Sequence, residues 1–270
     1  MVRIVSLHVY PVKSCRGIDL DTALLTRTGI AHDREWMITS PAGRFLTQRE
    51  EPRLALIQTQ LTPEALVLTA PGCAALPLPY AHEGKPTEVV IWKDRCAAYD
   101  QGEVAADWLT RLLGKPLRLV RFDPHSVRPS GSAAGEATGY AQFSDGYAIL
   151  VISTASLADL NSRLPQPLPM NRFRPNVVVE GLPAFGEDQV AELATAAVRL
   201  QLVKPCTRCT ITTTNQLTGT VEGEEPLLTL RTYRWHKQLR GIAFGQNAIV
   251  AGGEGGALRI GDTLEALARG

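Results

Sequence analysis

The sequence predicts a β-rich α+β protein in two consecutive parts, 1–122 and 123–270, built from barrel-like sheets. Three observations predict it. Apolar residues recur at a period of two in short runs, as in Val5, Leu7 and Val9 or Val198, Leu200 and Leu202, the pattern of half-buried strands. Pro, Gly, Asn and Ser punctuate those runs at short intervals, as turns between strands do. Few stretches carry a helical period, and they do not alternate regularly with strands as a doubly wound sheet requires.

The first strand, through Val5, Leu7 and Val9, ends at Pro11, and a polar turn follows with Lys13, Ser14 and Arg16. Residues 33–39 lead into a strand, Pro41-Ala42-Gly43 turns it, and 44–47 return, which is hairpin grammar. Arg34 stands at that strand's start, where an inward guanidinium needs an anionic partner. Strands follow at 54–61, 65–70 and 88–92. Asp100 and Glu103 have the spacing of a capping box; Val104, Trp108, Leu109 and Leu112 then recur helically up to Gly114. Residues 117–122 read as one more strand.

The Pro-, Ser- and Gly-rich stretch 123–139 has no periodicity and marks the seam, a mobile loop opening the second part. The apolar run 148–152 leads into a helix capped by Ser153 or Thr154, with Leu157, Leu160 and Leu164 facing the core. The free N–H groups at its start suit an anion, or simply their own serine cap. Arg172, Arg174 and Asn176 stand at the mouth of a 177–179 strand, the arginines alternating with Phe173 so that both point away from the core. Residues 226–238 read as a helix with a basic outer face (Arg231, Arg234, Lys237), and 242–247 and 257–262 as closing strands.

Between those lies Lys204–Gly219, KPCTRCTITTTNQLTG. Pro205 removes a backbone donor and stops the preceding strand. The β-branched run 210–214 reads as a second strand. Cys206, Arg208 and Cys209 are thereby held on a tight connection. Structural zinc needs four ligands, and Cys15, Cys73 and Cys96 are scattered singly. The pair is either buried and inert or holds a ligand. A guanidinium between two thiols lowers thiol pKa and offers a planar fork to an anion.

Composition narrows the classes. A net charge of +1 with 20% charged residues offers no strong field to nucleic acid or a membrane surface. No apolar run approaches the ~20 residues of a membrane span, and the N-terminus shows no signal core with a cleavage site. Five unevenly spaced cysteines suit a reducing compartment. The expected location is cytoplasmic.

Taken together, YPVKSCRG, HDREW, STASL, FRPN and CTRCTITT, in this order along nearly the whole chain, resemble the MOSC family. More narrowly, the chain resembles its two-domain members, an N-terminal MOSC β-barrel domain (here 1–122) followed by the MOSC domain (123–270). The resemblance implies a Mo-molybdopterin (molybdenum cofactor), with Cys209 as the thiolate ligand to the metal. Lys13, Ser14, Arg34, Arg174 and Asn176 match positions holding the pterin and its phosphate, and Thr207 and Arg208 belong to the loop around it. Gly146 and Tyr147 match by position, as backbone contacts. Asn247 stands where animal members have tyrosine. The sequence carries neither the four-cysteine ferredoxin domain nor the aminotransferase-like domain of some relatives. Independently, Lys13, Arg34, Arg174 and Arg208 are four cations suited to a buried phosphate.

The resemblance implies an oxidoreductase that reduces N-hydroxylated compounds (amidoximes, hydroxylamines, N-hydroxylated bases). Electrons then come from a ferredoxin-, flavodoxin- or cytochrome-type donor protein, since no nicotinamide motif or iron–sulfur cysteine set is present. The alternatives are a carrier of cofactor or persulfide sulfur on Cys206 or Cys209, and a barrel with inert cysteines.

Overall fold

The computed structural model describes residues 1–82, 84–130 and 138–269. Seven strands close into a barrel that draws on both ends of the chain. Around it run Ile149–Ser153, Val177–Glu180, Val2–Val9, Thr263–Ala268, Val190–Ala194, Arg199–Thr207 and Gly241–Gly252, and the last pairs back onto the first. Every pairing is antiparallel except Ile149–Ser153 with Val177–Glu180. That parallel pair needs a crossover, and α2 (Thr154–Arg163) lies on it. Aliphatic side chains such as Ile4, Leu7, Val151, Val179, Leu193 and Leu200 fill the interior, and closure removes the sheet's exposed edges.

The N-terminal part carries a four-stranded antiparallel sheet (Trp36–Thr39, Arg118–Phe122, Asp94–Asp100, Lys85–Ile91) and a three-stranded one (Gln58–Leu61, Ala65–Thr69, Leu76–Pro79). Helix α1 (Glu103–Leu113) shares a core with them through Trp108, Leu109 and Leu113. A further core joins α2 and α3 (Leu227–Tyr233) to the barrel's outer side, through Leu160, Leu230, Phe173 and Phe244.

Several elements differ from the sequence expectation, each for a local reason. Val5 is only half-buried, because a bulge between Ile4 and Ser6 switches the first strand's phase: Val2 and Ile4 face in, then Leu7 and Val9. Residues 54–61 divide, since Pro52 opens a 3₁₀ turn (Pro52–Leu56) and only Gln58–Leu61 is strand. Gly102, at φ 89°, takes the N-cap of α1, while Asp100 accepts from the Gly102 amide and pairs with Arg118. Pro205 does not end its strand; it pairs opposite Gln246, and bulges on either side absorb its missing donor. The β-branched run 210–214 is a 3₁₀ turn (Thr210–Thr213). The 226–238 helix stops at Tyr233, and Trp235–His236 returns as a short strand. Of its basic face, Arg234 turns inward to Asp188 at 2.6 Å.

The start of α2 is capped as expected by Ser153, which accepts from Ser156 N. The place is taken by the protein itself. The buried Glu187 carboxyl, which burial pushes up, accepts from Ser153 N at 3.3 Å and from Ser156 Oγ at 2.8 Å. Of the loop expected at 123–139, residues 131–137 lie outside the described residues. Its flanks are joined by Ser130 N to Gly139 O and Ala141 N to Arg128 O.

Candidate functional site

One cleft gathers every residue that the resemblance matches to the cofactor. Lys13, Ser14, Arg34, Gly146, Tyr147, Arg174, Asn176, Thr207, Arg208, Cys209 and Asn247 all line it. Arg172 does not; it turns to Thr213 O (2.8 Å) and to Glu222. The cleft is assembled from turns at the ends of barrel strands and from the 32–35 turn of the N-terminal part, segments far apart in the chain.

Backbone strain marks the same places. Of the seven non-glycine residues with positive φ among the described residues, Ser14 (66°), Arg34 (51°) and Arg174 (54°) line the cleft. A fourth, Trp92 (55°), donates its indole N–H to Asp145 on the lining at 3.3 Å. Such conformations cost ~1–3 kcal/mol each and persist only where the surroundings over-determine them. Here Arg34 N donates to Tyr10 O at 2.8 Å and Gln48 Nε2 to Ser14 O at 2.6 Å. Tyr10 sits between two cations: the Arg34 and Arg174 guanidinium carbons lie 4.3 and 4.2 Å from its ring centroid. Burial pushes its hydroxyl up to about 12 against the pull of both arginines, so it is neutral and donates to Pro175 O at 3.0 Å.

The four cations differ in what they have to spare. Arg34 pairs with buried Asp33, whose carboxyl burial pushes up against the pull of that guanidinium, and also donates to Asn176 Oδ1 at 3.1 Å. The Asn176 amide is spent on the protein: it donates to Asp33 and His8 O and accepts from Leu150 N as well as Arg34. Lys13 is bound by Asp145 and by Phe143 O at 2.8 Å.

Arg174 has no carboxylate among its hydrogen-bond partners. Nη1 reaches only Gln216 Oε1 at 3.4 Å, and buried Nη2 has no partner among the described residues. Burial, with Arg34's repulsion, pulls this guanidinium down to about 10 against the opposing pull of Tyr10, so it remains charged at neutral pH. Arg208 donates to Cys206 Sγ at 3.0 Å and to Phe173 O at 2.7 Å, while its Nε is buried without a partner among the described residues. Burying a cationic donor unpaired is costly, and such a group calls for an explanation such as an absent ion.

Cys209 opens the 3₁₀ turn, and its Sγ accepts from Arg49 Nη1 at 3.5 Å. Cys206 and Cys209 are both free thiols. Among the described residues no group of three or more His, Cys, Asp or Glu could hold a metal ion. Tyr10, Asp33, Arg49, Asp145 and Gln216 are the site residues that sequence reasoning missed. Tyr10 and Asp33 stood inside quoted motifs; Arg49 carried no signal at all.

The Lys13–Asp145 pair makes a pH prediction. Burial would raise the Asp145 carboxyl, but Lys13, then Arg49 and Trp92, outweigh it and hold it at about 2. The folded value lies below the ordinary ~3.9, so the contribution to stability is complete above about pH 4 and is lost as pH falls toward 2. Asp145→Asn is expected to melt below the parent protein near neutrality, with the gap closing on acidification through that window. A gap indifferent to pH in thermal melts would contradict the pairing.

Residues 1–116 match the MOSC N-terminal beta barrel domain, and residues 138–265 the MOSC domain. The chain is 35% identical to the mitochondrial amidoxime-reducing component 1 of Homo sapiens over 98% of its own length and 82% of that protein. It is 36% identical to the mitochondrial amidoxime reducing component 2 of Bos taurus, over 84% of this chain and 71% of that one.

Proposed function

The chain belongs to the MOSC family, and on that premise we propose that it holds a molybdenum cofactor in the cleft and reduces N-hydroxylated compounds. Its substrates are amidoximes, hydroxylamines and N-hydroxylated bases, and a separate ferredoxin-, flavodoxin- or cytochrome-type protein donates the electrons. One observation carries this reading: two buried guanidinium nitrogens without partners among the described residues, Arg174 Nη2 and Arg208 Nε, share a cleft with the free thiol of Cys209.

The residues present fit such a group. Cys209 offers the soft sulfur that suits a thiolate-bound transition metal. Arg174 and Arg208 offer unspent donors to a phosphate-bearing pterin, a charge-assisted contact. Lys13, Ser14 and Arg34 stand around them, with Asn176 and Asp33 fixing Arg34's direction. A Cβ added at Gly146 would meet no protein atom within 4 Å, so bare backbone there opens onto space. Thr207, Tyr147 and Asn247 complete the wall.

When bound, the cofactor supplies two-electron reduction at a metal centre; the chain's part is to hold and orient it. Tyr10 keeps Arg34 and Arg174 on its two sides, and Gln216 steers Arg174. The short 3₁₀ turn, closed by Thr212 N on Cys209 O at 3.1 Å, aims the thiol.

The cytoplasmic location belongs to the same proposal; among the described residues no helix is long and apolar enough to cross a membrane. Protein purified from a cofactor-producing host is expected to reduce benzamidoxime with a small artificial reductant and not with NADH alone, since no glycine-rich dinucleotide turn is present. Turnover on NADH alone would contradict the need for a donor protein. Bound pterin with no turnover on any reductant would favour a carrier.

A further inference from the structure

We propose that Trp92 and Arg49 form a substrate platform at the rim of the cleft, favouring planar conjugated N-hydroxylated compounds over aliphatic ones; this rests on the function proposed above. Trp92 lies in the two-residue connection between Lys85–Ile91 and Asp94–Asp100. Its φ of 55° suits Gly or Asn and is out of place for a bulky side chain. The residue is also 52% exposed. A strained backbone and a wet indole therefore fall on one residue, and among the described residues no hydrophobic core cluster includes it.

What the indole does touch points to the cleft. It packs on Phe45 at 5.2 Å between centroids, and its N–H goes to Asp145 on the lining. The Arg49 guanidinium lies 4.8 Å from its ring centroid. That same guanidinium contacts Cys209 Sγ at 3.5 Å. One planar cation thus bridges a half-open aromatic surface and the sulfur where the chemistry is placed. Arg49 also lines a second groove, with Thr210, Leu227 and the exposed Leu228.

A flat conjugated ring gains by stacking on indole and guanidinium, beyond the area it buries. An alkyl group gains only the area. The platform therefore acts as a selectivity device.

The test compares benzamidoxime with acetamidoxime, which share the N–OH group and differ in the ring. Alanine keeps a Cβ at position 92, so the substitution removes the ring without relaxing the turn as glycine would. In Trp92→Ala the ratio of kcat/KM for benzamidoxime over acetamidoxime is expected to fall about tenfold, and Trp92→Phe to restore most of it. Calorimetric titration of both compounds into the holoprotein should show the same loss of preference. An unchanged ratio and unchanged binding preference in Trp92→Ala would overturn the platform. A ring-dependent binding preference that vanishes in Trp92→Ala, in a protein that turns over neither compound, would uphold the platform and sink the reductase function.

Discussion

Cys209→Ser is expected to lose nearly all reduction of N-hydroxylated compounds, on the order of a thousandfold or ~4 kcal/mol of barrier, while keeping most of its pterin. The substitution removes one soft ligand. It leaves the partnerless nitrogens of Arg174 and Arg208 where they are, so retention and turnover separate. Cys206→Ser is the control. Its sulfur accepts from Arg208 Nη1 at 3.0 Å, a role a serine oxygen also fills, so activity is expected to stay near that of the parent. The measurement is pterin per chain and turnover for both variants. Loss of activity in Cys206→Ser with Cys209→Ser still active would reverse the ligand assignment.

Arg174→Ala is expected to lose pterin and activity together. A hydrogen bond to a charged group contributes ~1.5–3 kcal/mol, so retention should weaken roughly ten- to a hundredfold. Arg174 is the cation with the most to give: its guanidinium is buried, paired with no carboxylate, and held to one long contact with Gln216. Arg174→Lys keeps the charge but not the planar fork, and should fall between the two. Full pterin content in the alanine variant after gel filtration would show that the phosphate is held elsewhere.

Much of this protein was legible in its sequence where one local rule decided the outcome. Alternation located the strand at 198–202, flanking turns bracketed the one at 65–70, and Ser153 and Gly114 bounded their helices as read. Local rules failed where a partner strand overrode them. Pro205 stays in the sheet because bulges accommodate it, and the bulge at Ile4/Ser6 reverses the inward face of the first strand. Thr210, Ile211, Thr212 and Thr213 have strand propensity, yet their chain must turn to present Cys209.

The cleft's cast was legible through motifs, but its electrostatics were not. Four cations looked equivalent in sequence. Folded, Arg34 and Lys13 have their own carboxyl partners, and of the four Arg174 and Arg208 each keep a buried nitrogen without a partner among the described residues. Arg49 meets a sulfur 160 positions away, a contact no local pattern encodes. Positive φ at Ser14, Arg34, Trp92 and Arg174 was likewise invisible, because propensity assigns that region to glycine and asparagine.

Metal and pterin analysis of the protein purified from a cofactor-producing host tests the central claim most directly. A cleft with a soft thiol and two unspent buried guanidinium nitrogens should yield stoichiometric molybdenum together with pterin. Stoichiometric zinc with no pterin would contradict it.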